Sequence, residues 1–175
     1  MASAVTISSL HRLSAPTLSA LLLEQDPTLD LKADTSRIAI IDVRDDDYIG
    51  GHIKGAHHFP SRTLDATLPA LVRKLQDKET VVFHCALSQQ RGPGAALRYL
   101  RERQRILGTL NANKKKNDTE QQGSEEAKEE DQAAPVEQKV YVLDRGFVGW
   151  QEVYGEDERL TEGYRKELWK DGYWM

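Results

Sequence analysis

Three short runs of this sequence are apolar through nearly their whole length: Ile38-Ala39-Ile40-Ile41, Thr80-Val81-Val82-Phe83 and Val140-Tyr141-Val142-Leu143. A strand with one face in water alternates apolar and polar residues, whereas a strand covered on both faces does not. Between these runs lie helical spacings, Leu64, Leu68, Leu71, Val72 and Leu75 in one and Ala95, Ala96, Tyr99, Leu100 and Leu107 in the other. Alternation of buried strands with helices predicts an α/β chain with a parallel sheet covered on both faces. Upstream, Leu18, Leu21 and Leu22 follow the helix-start residues Ser14 and Pro16, which predicts a first helix. The first 23 residues hold no acid, as in an organelle presequence, but Arg12 is their single Arg or Lys, so an ordinary first helix is the better reading.

Charge is unevenly placed. Residues 111–138 hold four Lys and eight acids, which accounts for the whole net charge of -4. The stretch 108–137 is almost without apolar residues and cannot offset its ordering entropy by burial, so it is expected to be a disordered charged insert in a single domain of 175 residues. Residues 156–175 are expected to form a helical tail. The acidic balance argues against a nucleic-acid partner. The apolar runs are too short to cross a bilayer, so no membrane partner is expected. One Cys among 175 residues rules out an internal disulfide, and His52, His57 and His58 have no ligand-spaced companion, so no metal is expected.

The lone Cys has a telling setting. The run Val81-Val82-Phe83-His84 leads into Cys85, Ala86, Leu87, Ser88, Gln89, Gln90 and Arg91, and Gly92-Pro93 then opens a helix. A loop of this length between a strand and a helix curls so that successive N–H groups point inward. Such a nest, with the positive end of the helix behind it, binds a tetrahedral oxyanion. Arg91 adds a bidentate grip. The same field favours the thiolate of Cys85, placing a nucleophile beneath the bound anion. A plain core cysteine is the bland alternative; the ordered context argues against it.

His84-Cys85-x5-Arg91-Gly92-Pro93 resembles the active-site signature of the rhodanese-fold dual-specificity phosphatases of the cell-division-cycle type, and of their small fungal and protozoan relatives, which include arsenate reductases. Two further segments resemble that family: Asp42-Val43-Arg44 with Tyr48-Ile49-Gly50-Gly51-His52-Ile53-Lys54-Gly55-Ala56, and Val142-Leu143-Asp144-Arg145-Gly146-Phe147 with Trp150. The resemblance implies a three-layer rhodanese-like fold whose central parallel sheet has about five strands flanked by helices. It implies a cysteine-dependent phosphatase acting on phosphate monoesters, with Cys85 as nucleophile, Arg91 as oxyanion ligand and Ser88 facing the thiolate. Residues 86–91 would form the oxyanion loop, with Asp42, Arg44 and His84 as structural support. The seven-residue span from Cys85 to Arg91 matches the phosphatase branch; rhodanese sulfurtransferases have one residue fewer.

The loop interior departs from the cell-cycle phosphatases in carrying no carboxylate, so the leaving-group proton is expected from the substrate, from water, or from Asp45, Asp46 or Asp47. Arsenate reduction is the alternative activity, with glutathione as external reductant and glutaredoxin as partner. Thiosulfate-type sulfurtransfer and a weakly active oxyanion-binding module are further alternatives. Otherwise no cofactor is implied, the substrate being a phosphorylated protein or a small phosphate or arsenate. A cytoplasmic or nuclear location is expected. Lys54, Arg98 and Arg145 are candidates for steering an anion. Trp150, Trp169 and Trp174 are expected to pack rather than recognise.

Overall fold

The computed structural model describes residues 4–24, 36–120 and 137–171, and for 114–120 the backbone alone. In chain order it contains β1 (His11–Leu13), α1 (Ala15–Glu24), β2 (Ile38–Asp42), β3 (His52–Ile53), β4 (His57–His58), α2 (Leu64–Lys74), β5 (Thr80–His84), α3 (Arg91–Glu120), β6 (Lys139–Leu143), α4 (Gly146–Tyr154) and β7 (Thr161–Glu162). The main sheet has five strands in the order β1-β6-β5-β2-β4, every pairing parallel. β3 and β7 form a separate antiparallel pair.

The three apolar runs are the three central strands, and the absence of alternation has the cause inferred from sequence. Successive side chains of a strand point to opposite faces. Val81 and Phe83 pack with Leu64, Leu68, Leu71 and Val72 of α2 and Ala95, Ala96 and Tyr99 of α3. Val82 points the other way, into a second core with Leu18 and Leu22 of α1 and Phe147 and Trp150 of α4. The result is three layers, α2 and α3 on one face and α1 and α4 on the other. α1 starts where expected: Ser14 Oγ accepts the Thr17 N–H at 3.3 Å, and Leu18 N–H bonds Ser14 O at 3.0 Å.

Two expectations need correction. Residues 108–120 are not an unstructured insert but the continuation of α3, which runs 30 residues to Glu120. Leu110, Ala112 and Lys114 to Lys116 are good helix formers, and a helix already nucleated on the core needs no new nucleus to extend into a polar segment. The remainder of the expected insert, 121–136, lies outside the described residues. The described part of the expected helical tail, 156–171, holds no α-helix; it contains β7 and a 3-10 turn at Lys166–Leu168, and 172–175 lie outside the described residues. Gly163 sits at φ 65°, a left-handed conformation that interrupts a helix. Leu160 joins the second core, and Trp169 Nε1 donates to Gly50 O at 2.9 Å. Burial of these two side chains holds the segment extended across the fold. Trp150 and Trp169 pack as expected, and Trp174 lies outside the described residues.

Candidate active site

The carboxyl ends of parallel strands converge on one edge of such a sheet, where ligands of α/β folds bind. Here β5 delivers Cys85, β2 delivers residues 43–47, and β6 leads into Arg145 and α4. Cys85 is 3% exposed at the foot of the loop 85–91.

A loop cradles an anion only if its carbonyls face away and its amides face in. Each carbonyl of the first half that the structure ties down is tied from outside. Cys85 O accepts the Phe147 N–H at 3.0 Å and the His84 Nδ1 at 3.1 Å. Ala86 O accepts the Val148 N–H at 2.9 Å. Ser88 O accepts Arg12 Nη1 at 3.1 Å, a contact from β1 across 76 residues. Ser88 itself has φ 54°, the left-handed step that a nest requires. Its N–H donates to Cys85 Sγ at 3.2 Å. Among the described residues, the amides of Ala86, Leu87, Gln89, Gln90 and Arg91 have no acceptor. The loop therefore keeps five amide donors beside a buried sulfur.

Gly146 makes the outer bracing possible. A Cβ there would lie 2.5 Å from both Cys85 O and Ala86 O. Only a glycine lets the start of α4 reach the loop backbone.

Ser88 differs from expectation. Its backbone N–H, not its hydroxyl, meets the sulfur. The Ser88 Oγ is buried and has no hydrogen-bond partner among the described residues. An orphaned buried hydroxyl calls for an explanation, and a ligand held by the loop is one.

Asp42, Arg44 and His84 lie behind the loop and wholly inside the protein. Arg44 Nε and Nη2 grip the Asp42 carboxylate at 2.7 to 3.0 Å. Nη2 also donates to Gly51 O at 2.8 Å and Nη1 to Ile49 O at 3.4 Å. The guanidinium stands over the Phe147 ring at 4.4 Å. Burial pushes the Asp42 carboxyl up, but the charge and hydrogen bonds of Arg44 outweigh it and hold it below the usual range. Burial pushes His84 down, more strongly than Asp42 raises it, so the ring is neutral at physiological pH. A neutral ring bonding the Cys85 carbonyl carries its proton on Nδ1. The side-chain hydrogen bonds of Asp42, Arg44 and His84 go to one another and to the carbonyls of Cys85, Ile49 and Gly51.

The largest difference from the sequence reading concerns Arg91. Its guanidinium pairs with Asp47, Nη1 to Oδ1 at 2.7 Å and Nη2 to Oδ2 at 2.5 Å, and Nη1 reaches Asp45 Oδ2 at 3.3 Å. Asp45 is fixed further by Ser61 Oγ at 2.5 Å and the Arg62 N–H at 3.0 Å. Burial pushes the Asp45 carboxyl up, but those hydrogen bonds and Arg91 prevail and hold it low. Asp45 is therefore a poor proton donor at neutral pH. Asp46 is exposed and pairs with Arg62 instead. The Arg91–Asp47 pair was not legible in sequence, where Asp45 to Asp47 stood only as alternative acids.

Of the three steering candidates, Arg98 is tied to Asp65 at 2.8 Å and Arg145 to Glu152 at 3.0 Å, so neither offers an unpaired charge. Lys54 is exposed near β3. Among the described residues no group of His, Cys, Asp and Glu is arranged to hold a metal ion, and no helix is long and apolar enough to cross a membrane.

Comparison with known proteins agrees with this geometry. Residues 26–153 match the family described as Rhodanese-like domain. An arsenate reductase of Oryza sativa is 41% identical over 66% of this chain, a match that spans 57% of the rice protein's length. A CDC25-like phosphatase of Saccharomyces cerevisiae is 35% identical over 75% of this chain and 77% of its own. Among solved structures, a yeast protein tyrosine phosphatase of the rhodanese family superposes with a TM-score of 0.64 at 30% identity, covering 92% of this chain and 98% of that one. An As-Sb reductase from Leishmania major gives 0.56 at 25% identity, covering 85% and 81%. The chain belongs to the rhodanese-like family, within the group whose members are named CDC25-like phosphatases and arsenate reductases.

Proposed function

We propose that this protein is a cysteine-dependent phosphatase that hydrolyses phosphate monoesters, of the protein-tyrosine or dual-specificity type. The observation that carries the reading is the loop 85–91, in which the Cys85, Ala86 and Ser88 carbonyls are anchored from outside while the Ser88 amide reaches Cys85 Sγ. Cys85 Sγ attacks phosphorus in line, an S–P bond forms, and the P–O bond to the leaving group breaks. The loop amides and Arg91 stabilise charge on the equatorial oxygens. Water then attacks the phospho-cysteine, releasing phosphate and the thiolate. The loop interior offers no carboxyl, and Asp45 is held ionised. The leaving oxygen therefore takes its proton from a monoprotonated phosphate or from water, and good leaving groups react best.

Arsenate reduction is the second reading, favoured by the rice relative and by the single Cys. Arsenate is a tetrahedral anion of the same charge and nearly the same size. Cys85 attacks arsenic with loss of water, and glutathione then supplies the second sulfur. Two electrons pass to arsenic, and the two sulfurs become a mixed disulfide of Cys85 and glutathione, which a glutaredoxin reduces. No second Cys exists to do this internally.

The test is one panel on wild type and Cys85→Ser: an aryl phosphate, phosphotyrosine and phosphothreonine peptides, arsenate with glutathione and glutaredoxin, and thiosulfate with cyanide. Wild-type turnover of phosphate esters, lost in Cys85→Ser, is expected. Full activity in Cys85→Ser overturns the mechanism, and thiosulfate as the sole substrate assigns the site to sulfur transfer.

A further inference from the structure

Asp45 and Asp47 are the strongest polar contact of the site that the proposed reaction does not use. Asp47 is 2% exposed and meets Arg91 end-on through Nη1 and Nη2. A guanidinium has five N–H donors. Asp47 and Asp45 together take both N–H groups of Nη1 and one of Nη2. The Nε–H and the second N–H of Nη2 remain. They lie on one edge of the planar group, spaced for two oxygens of a tetrahedral anion.

The segment that presents Asp47 is braced from several sides. The Asp45 N–H donates to Asp47 Oδ1 at 2.9 Å. Arg44 lies inside the turn and bonds the carbonyls of Ile49 and Gly51. Tyr48 stacks on His58 with ring centroids 3.8 Å apart. Gly50 O accepts both Trp169 Nε1 and the Arg165 N–H. A mobile acidic loop would let Arg91 wander; this one holds its carboxylate in place.

We propose that Asp47, assisted by Asp45, is a positioning residue. It holds Arg91 by the end of its guanidinium so that the Nε–Nη2 edge is presented to the oxyanion on the loop. The inference rests on the reading of the loop as an oxyanion site and applies equally to phosphate and arsenate. The opposite role makes the opposite prediction. If Asp47 merely competed with the anion, its removal would release Arg91 and tighten binding.

The experiment measures kcat, KM and inhibition by orthovanadate on an aryl phosphate. It uses wild type, Asp47→Asn, Asp47→Glu, Arg91→Ala and the double variant, with thermal midpoints alongside and Asp46→Asn as a control. Asp47→Asn is expected to weaken vanadate inhibition by roughly tenfold or more, as loss of a charged hydrogen bond should, with kcat/KM falling by a similar factor. Asp47→Glu should recover part of the loss. In the Arg91→Ala background Asp47→Asn should change little, because it acts through Arg91. Asp45→Asn, which removes the weaker arm, should shift inhibition in the same direction by less, and serves if Asp47→Asn does not fold. Vanadate inhibition equal to or tighter than wild type in Asp47→Asn, or an equal loss with and without Arg91, overturns the proposal. An active wild type with unchanged Asp47→Asn removes this inference alone. A wild type that neither binds vanadate nor turns over removes the oxyanion reading with it.

Discussion

Gly146→Ala strikes the point at which the fold shapes the loop. Gly146 has φ 56°, where a residue with a Cβ is strained by about 1 kcal/mol. Its added methyl would stand 2.5 Å from Cys85 O and Ala86 O, and 2.7 Å from the Ala86 carbonyl carbon. Those are backbone atoms of the loop, so no side chain can rotate away. Relief requires moving α4 from the loop and stretching the Phe147–Cys85 and Val148–Ala86 hydrogen bonds of 3.0 and 2.9 Å. Overpacking of this kind costs about 2 kcal/mol, for a total near 3 kcal/mol. A chain of this size then melts roughly 10 °C lower. The two anchored carbonyls are also what keeps the amides facing inward, so orthovanadate inhibition should weaken well beyond what the thermal loss explains at assay temperature. The assay pairs thermal unfolding with vanadate-inhibited hydrolysis of an aryl phosphate. Gly94→Ala is the comparison: nothing lies within 4 Å of its Cβ position in the first turn of α3, so it should stabilise by up to about 1 kcal/mol. A Gly146→Ala protein with wild-type melting and wild-type vanadate inhibition would refute the argument that α4 shapes the loop.

Asp42→Asn leaves Arg44 buried without its counter-charge and should destabilise by about 3 to 5 kcal/mol, read as a shifted urea midpoint. His84 gives a pH dependence of known sign. Its folded value lies below the unfolded one, so as pH drops below about 6.5 the unfolded chain takes a proton that the folded chain refuses. Stability therefore falls with acidification there, by up to about 1.4 kcal/mol per pH unit, until the folded ring also protonates. Urea midpoints between pH 5 and 7.5 should show this slope in wild type and lose most of it in His84→Gln. The Asp42 contribution, from a depressed carboxyl, is present above the unfolded carboxylate value and is lost only at lower pH. Without a carboxylic acid in the loop, kcat/KM should depend steeply on leaving-group basicity, measured across substituted phenyl phosphates; a flat series would mean that a protein acid donates the proton.

What sequence revealed follows from how far each signal reaches along the chain. The central strands and the helices over them announce themselves locally, because burial on both faces forbids alternation in runs such as Ile38–Ile41. β1 and β4 gave no such signal. They are three and two residues long, lie at the two edges of the sheet, and contain the exposed His11, Arg12 and His58 and the half-buried His57. The strand–loop–helix setting of Cys85 and Arg91 was legible because it is written in adjacent residues. The contacts that shape the loop were not: Arg12 reaches Ser88 O from 76 residues away, and Asp47 meets Arg91 from 44 residues away. Gly146 read only as part of a family motif, although its reason is the approach of a backbone 60 residues upstream. The C-terminal segment, expected as helix, is extended over its described part because Leu160 and Trp169 find their partners in the second core and at Gly50, far away in sequence.

The covalent step at Cys85 is the centre of the proposed mechanism. An acid quench during turnover of a radiolabelled aryl phosphate, followed by digestion and mass spectrometry, examines it directly. A phosphoryl group on the peptide containing Cys85, formed and discharged at rates consistent with kcat and absent in Cys85→Ser, is the predicted result. Steady turnover with no label on Cys85, or label on another residue, would contradict it.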